Sequence, residues 1–158
     1  MSVSVRKAGS EDVESVMKLL KQVLEIHAQI RPDIFISGTT KYTPEELKEI
    51  LSDATRSIFV AVDEKDRVLG HLFCEVIHQP FSTNMHSFKT LYIDDLCVDE
   101  NARGMHVGTI LYEFALKYAK EIGCYDVTLN VWEGNDSARA FYEKKGMFVK
   151  ETQMEIIL

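Results

Sequence analysis

Few features of this sequence would place it at a glance. It has three cysteines, Cys74, Cys97 and Cys124, far apart in apolar stretches with no CxxC spacing. None of its five histidines forms HxxxH or HExxH. This argues against a disulfide framework or a zinc site, and the thiols read as small buried apolar groups. No internal repeat or low-complexity linker breaks the chain, and no apolar run approaches the ~20 residues that span a bilayer. The N-terminal MSVSVRKAGSED lacks the long apolar stretch of a signal peptide. Positive charge is also in deficit. Lys and Arg number 18 against 25 Asp and Glu, a net charge of −7. A negative field repels phosphate backbones, so nucleic acid is a poor partner and a cationic ligand a better one. The expectation is a cytoplasmic protein with neither a membrane nor a nucleic-acid partner.

What is present is an ordinary globular mixture in 158 residues, 46% apolar and 27% charged. A chain of ~150 residues buries roughly 68–70% of its unfolded surface, enough for one core, so residues 1–158 are expected to form a single domain. Residues 3–7 alternate as a short strand. Ser10 reads as an N-cap, followed by a helix to about Ile30 with Val13, Val16, Met17, Leu20, Leu24 and His27 at helical spacing. Thr43, Pro44 and Glu46 form a second helix start with a capping box. From Ser57 the period changes to two. Residues 57–62 and 68–77 read as a hairpin around the turn at 63–66, residues 79–87 as a polar connection, and residues 88–98 as a long strand carrying Asp94 and Asp95 near its end. Ile110, Leu111, Phe114, Tyr118 and Ile122 mark the strongest helix, which Gly123 ends. Residues 125–131 follow as a strand, 135–145 as a short helix, and 147–158 as one strand or a tight pair. The order β-α-α-β-β-β-α-β-α-β predicts a mixed, mostly antiparallel α/β domain with a parallel βα unit in its second half.

Chemistry concentrates where a strand ends and a helix begins, at Asp95 to Thr109. Free N–H groups at a helix start attract anions, glycines admit a phosphate closely, and Arg103 adds a permanent forked cation. Known phosphate loops fit poorly. A P-loop needs G-x-x-x-x-G-K-S/T, but Gly104 and Gly108 are too close and no Lys precedes Thr109. The dinucleotide fingerprint G-x-G-x-x-G is absent.

Residues 103–108 do resemble the acyl-CoA-binding loop of the GNAT family of N-acetyltransferases, Arg/Gln-x-x-Gly-x-Gly/Ala. Arg103 and Gly108 match, and His106 replaces the usual central glycine. Leu96, Cys97 and Val98 resemble the family's L-x-V strand. Asn135, Phe141, Tyr142, Gly146 and Phe148 resemble its second signature, an Asn before a short helix bearing F-Y and ending at Gly. Together these motifs and the order of elements cover nearly the whole chain. The resemblance implies a GNAT-like fold and acetyl-CoA as cosubstrate. It implies a strand that splays from its neighbour at Leu96, Cys97 and Val98, so that unpaired backbone groups hold the pantetheine arm. It implies pyrophosphate binding by Arg103, Gly104, Met105, His106, Val107, Gly108 and Thr109, with Asn135 beside the pantetheine. Tyr142 would donate a proton to the leaving thiolate, since a phenol of pKa ~10 is protonated at neutral pH. His106 is expected to keep ordinary helical angles, with its side chain turned away or onto a phosphate.

A base is needed as well, because an amine of pKa ~10 must lose a proton before it attacks. Some relatives carry a Glu where this chain has Asn130, which cannot serve. Asp94 and Asp95 stand where polyamine-acetylating relatives carry adjacent carboxylates. One could relay a proton and the other bind a cation, but strict alternation sends them to opposite faces unless a bulge intervenes. Glu75, sharing a strand face with His71, is a weaker candidate. His27, Arg31, Asp33, Phe35 and Tyr42 are expected to wall the acceptor site. Cys97 has no His–Asp companions, which favours direct transfer over an acyl-cysteine. The reading is transfer of acetyl to a primary amine, above all a small cationic amine or polyamine. A peptide lysine or N-terminus is the alternative, a CoA-binding module without turnover a third, and a homodimer the expected assembly.

Overall fold

The computed structural model describes residues 2–79 and 82–158. Pro80 and Phe81, in the polar connection, lie outside the described residues. The elements are β1 (Ser4–Lys7), α1 (Val13–Ile30), α2 (Pro44–Leu51), β2 (Arg56–Val62), β3 (Val68–His78), β4 (Lys89–Val98), α3 (Val107–Glu121), β5 (Asp126–Leu129) and α4 (Asp136–Lys144). They build one five-stranded sheet in the order β1-β2-β3-β4-β5, antiparallel except for the β4–β5 pair.

Period-two side chains give the sheet two apolar faces. Ile58, Val60, Val62 and Phe73 pack under Val16 and Leu20 of α1 and Leu47 and Ile50 of α2. Phe59, Ala61, Leu72, Cys74, Leu91 and Ile93 pack under Val107, Leu111, Ala115 and Ala119 of α3. Leu20, Leu72, Leu91 and Leu111 are fully buried, each worth roughly 1.5–3 kcal/mol relative to exposure. Among the described residues no helix is long and apolar enough to cross a membrane.

Two expectations fail locally. Ser10 does not cap α1. Residues Ser10–Asp12 form a 3-10 turn, and the Asp12 carboxylate instead accepts from the Gly9 N–H at 2.8 Å and from Arg6 of β1 at 2.8 and 3.0 Å. A buried carboxylate facing a strand arginine outcompetes an exposed hydroxyl as the local organiser. The second failure is at the C-terminus. Residues 147–158 form no strand and are almost wholly exposed, so β5 is the sheet's edge. The apolar alternation is there, but among the described residues no strand pairs with it.

Candidate active site

The parallel β4–β5 ladder runs from Thr90↔Asp126 to Ile93↔Leu129 and stops. Beyond it β4 continues for Asp94, Asp95, Leu96, Cys97 and Val98, still paired on its other side with β3. Among the described residues nothing pairs with the β5-facing side of that stretch, leaving roughly 3.3 Å of open backbone edge per residue. Leu96 and Val98 turn toward α3. Cys97 turns toward α1, its Sγ 3.5 Å from the Leu19 carbonyl. Burial, with Asp95 and Asp99 nearby, pushes the Cys97 thiol up to about 12, so it is no thiolate near neutrality.

The register between β3 and β4 shifts between Phe73↔Asp95 and Cys74↔Ile93. Asp94 is the extra residue of a bulge, and the bulge cancels one step of alternation. Asp94 and Asp95 therefore both face the α1/α2 side. Asp94 accepts the Tyr42 hydroxyl at 2.6 Å and the Lys41 ammonium at 2.7 Å. Tyr42 stacks on Phe73, ring centroids 5.7 Å apart. Asp95 faces His71 of β3, Oδ2 to Nε2 2.5 Å. His71 is fully buried and its Nδ1 has no partner, while the Asp95 side chain keeps 10% of its surface open. With its hydrogen on Nε2 the imidazole donates to Asp95, leaving Nδ1 a bare acceptor.

His71 is the functional candidate that pattern reading missed. It lies 24 residues from Asp95 in sequence, and only the β3–β4 register brings the two together. Asn130 donates to the Tyr92 hydroxyl at 3.2 Å. Glu75 lines a small depression with Tyr42, Arg56, Phe73 and Asp94, on the same side of the sheet as the bulge.

Tyr142 stands on α4 with its ring against Phe141 and Tyr112, centroids 5.1 and 6.1 Å away. Burial pushes its phenol well above the ordinary range, and the Asp95 charge adds to the effect. Burial holds the His27 imidazole below its ordinary value, and the Asp95 charge partly opposes it. His27, Phe35 and Trp132 form an aromatic chain with centroids 5.2 and 5.3 Å apart. Asn135, expected beside the pantetheine, caps α4, its Oδ1 accepting from Ala138 N at 3.4 Å.

The loop before α3 departs from expectation at His106, which does not keep helical angles. It is the left-handed N-cap, φ 59° and ψ 24°. A glycine at this position would serve the positive φ as well as close approach. No side chain caps α3 and no acid occupies its first turn. By contrast Thr43 caps α2 and Asn135 caps α4. Arg103 precedes Gly104, which has φ +84° and open space around it. A Cβ on Gly108 would make only ordinary contacts, 3.5 Å from Phe141 and 3.6 Å from Val98. Nothing within the fold demands a glycine there.

An α/β sheet with one parallel seam opening beside an uncapped helix start defines a class of protein: one that can hold an extended, phosphate-bearing molecule edge-on to a strand. Residues 20–147 match the model of the acetyltransferase (GNAT) family, and the chain belongs to that family. Its members are N-acetyltransferases that take acetyl from acetyl-CoA. A peptidyl-lysine N-acetyltransferase of Escherichia coli, YjaB, is 27% identical over 155 residues, covering 94% of this chain and 84% of the relative. A mutant of the BH1408 protein of Bacillus halodurans superposes with a TM-score of 0.93 at 33% identity, covering 98% of this chain and 99% of that one. Glucosamine-6-phosphate N-acetyltransferase of Arabidopsis thaliana superposes with a TM-score of 0.72 at 26% identity, covering 99% of both.

Proposed function

We propose that this acetyltransferase transfers acetyl directly from acetyl-CoA to the primary amine of a small cationic acceptor, a polyamine above all. The observation that carries the reading is the bulge at Asp94. It turns two carboxylates to one side of the sheet, and one of them already holds an alkylammonium, that of Lys41.

In this reading Arg103 and the loop of Gly104, Met105, His106, Val107, Gly108 and Thr109 hold the pyrophosphate, the Met105 N–H being already tied to the Ala102 carbonyl at 3.4 Å. The support is the uncapped start of α3 and the open space at Gly104. The open edge of Leu96, Cys97 and Val98 binds the pantetheine arm as a strand would, with Asn135 beside it. A backbone N–H there polarises the thioester carbonyl. Asp95, oriented by His71, accepts a proton from the acceptor's ammonium, directly or through one water. The free amine attacks the carbonyl carbon, a C–N bond forms and the C–S bond breaks. Tyr142 gives its proton to the departing sulfur, and the proton shed by the new amide nitrogen restores the phenol. The raised Tyr142 phenol stays protonated between turnovers. Asp94 is placed as the anchor of the loop carrying Tyr42, or as the subsite of a second ammonium when Lys41 gives way. A cytoplasmic reaction and a homodimeric enzyme belong to the same reading; three free cysteines support the first and an exposed apolar tail the second.

A lysine side chain of a protein or peptide is the second reading. The residue lodged at Asp94 is itself a lysine, and a relative named for peptidyl-lysine acetylation aligns over most of the chain. Release of free CoA thiol with purified protein separates the two. Polyamines are expected to exceed lysyl peptides and neutral aryl amines in kcat/KM by tenfold or more. A preference for peptides supports the second reading, and efficient acetylation of neutral aryl amines contradicts both.

A further inference from the structure

Lys41 brings an amine of the chain itself to the carboxylates of the bulge. Its Nζ lies 2.7 Å from Asp94. Among the described residues three lysines form ion pairs, Lys41, Lys117 and Lys150. Lys117 pairs with Glu121 on its own helix, and Lys150 with Asp126 of β5. Only Lys41 has its carboxylate on the stretch of β4 that lies beyond the β4–β5 ladder.

This ion pair is able to shift. Lys41 sits in the loop between α1 and α2, and its side chain keeps 48% of its surface open. Its Nζ stands 5.5 Å from the centroid of the Tyr42 ring. A half-exposed ion pair holds its partners weakly, and a lysine has a flexible four-carbon stem. Asp95 is the next residue of β4, roughly 3.3 Å further along the strand. The bulge turns it to the same side as Asp94. A displacement of one strand step therefore carries Nζ from the carboxylate that holds it to the one read above as the base.

We propose, on that same reading of Asp95, that Lys41 is an acceptor in its own right and that the enzyme acetylates its own Lys41 Nζ. The ammonium gives one proton to Asp95, and the free Nζ attacks the thioester carbonyl. A C–N bond forms, the C–S bond breaks, and the sulfur leaves as the CoA thiol with the proton of Tyr142. The new amide nitrogen sheds its second proton to the phenol, and Asp95 passes the first to water. Because the nucleophile is carried on the chain, the step needs acetyl-CoA and no external amine. Acetylation removes the lysine's charge, and with it the ion pair that ties this loop to Asp94.

Incubation of the protein with acetyl-CoA alone, followed by intact mass and peptide mapping, tests the proposal. One acetyl group should appear, on Lys41. It should appear there roughly 100-fold or more faster than on the other lysines, the advantage of a positioned nucleophile. Its rate should not depend on protein concentration, since the transfer stays within one chain. Asp95→Asn should slow it by roughly 10²–10⁴-fold, the worth of a positioned base. Lys41→Arg, which keeps the charge, should remove the label. Labelling of Lys41 at the pace of the other lysines overturns the proposal, as does labelling at the wild-type rate in Asp95→Asn or in proportion to protein concentration. Spermidine as an external acceptor separates this step from the reading of the site. Thiol release with spermidine, but no label on Lys41 without it, overturns self-acetylation alone. Neither thiol release nor label overturns both.

Discussion

At Asp94 the strand gains one residue, and that insertion decides what each of two neighbouring carboxylates can do. Asp94 is tied to Lys41 and Tyr42, whereas Asp95 is backed by a buried imidazole and acts on Tyr142 and His27. Steady-state kinetics of Asp95→Asn and Asp94→Asn should therefore differ in kind. The first should lower kcat by about 10²–10⁴-fold, the worth of a positioned base. The second should mainly raise KM by loosening the Tyr42 loop, and equal effects on both parameters would refute this division. The pair itself was legible in the sequence. The bulge was not, because alternation alone assigns the two residues to opposite faces and only the β3–β4 register reveals the skipped step. His106 shows the same limit. Its departure from the family loop could be read, but the left-handed backbone that makes glycine useful there could not. A left-handed non-glycine residue costs roughly 1–2 kcal/mol. His106→Gly should recover about 1 kcal/mol in urea unfolding without weakening acetyl-CoA affinity. Destabilisation would mean that the imidazole makes contacts that outweigh the backbone strain.

Neither α1 nor α3 has a side-chain cap, and of the four helices α3 alone has no acid in its first turn. Capping groups serve α2 and α4, while the first turn of α3 keeps its donors free beside Arg103. Arg103→Ala should weaken acetyl-CoA binding by about 1.5–3 kcal/mol, the value of a charge-assisted hydrogen bond. Unchanged affinity by calorimetry would place the pyrophosphate elsewhere. The start of α1 depends on a different device. Arg6 on β1 holds Asp12, and these hydrogen bonds, with that from Gly9, keep the Asp12 carboxyl below its ordinary 3.8. A lowered carboxylate pKa stabilises the fold fully above the unfolded value, and the gain is lost as pH falls through the folded one. Asp12→Asn should cost about 1.5–3 kcal/mol at pH 7. The gap between wild type and variant should close below pH 3.8, and a gap that persists at pH 2 would assign the loss to packing. The end of α1 near Ile30, the capped start of α2 and the extent of α4 were legible from spacing and punctuation, while the start of α1 at Val13 was not. The Arg6–Asp12 tie was not, since it links a strand to a helix start through space.

For the molecule as a whole, the mostly antiparallel sheet and its single parallel unit around α3 followed from the change of period at Ser57 and the helix before the last paired strand, whereas the lateral order of the strands is visible only in their register. Residues 147–158 were read as one strand or a tight pair and form no strand. Alternation reports a face that could be buried, and says nothing of whether a ladder forms to bury it. In the proposed mechanism the seam between β4 and β5 brings a thioester to Tyr142 and Asp95. The most direct test is to measure kcat and acetyl-CoA affinity together for Tyr142→Phe, which removes one hydroxyl and keeps the ring. The predicted result is affinity within about twofold of wild type, with kcat lower by roughly 10²–10⁴-fold. Wild-type kcat in a variant that still binds acetyl-CoA would contradict the account.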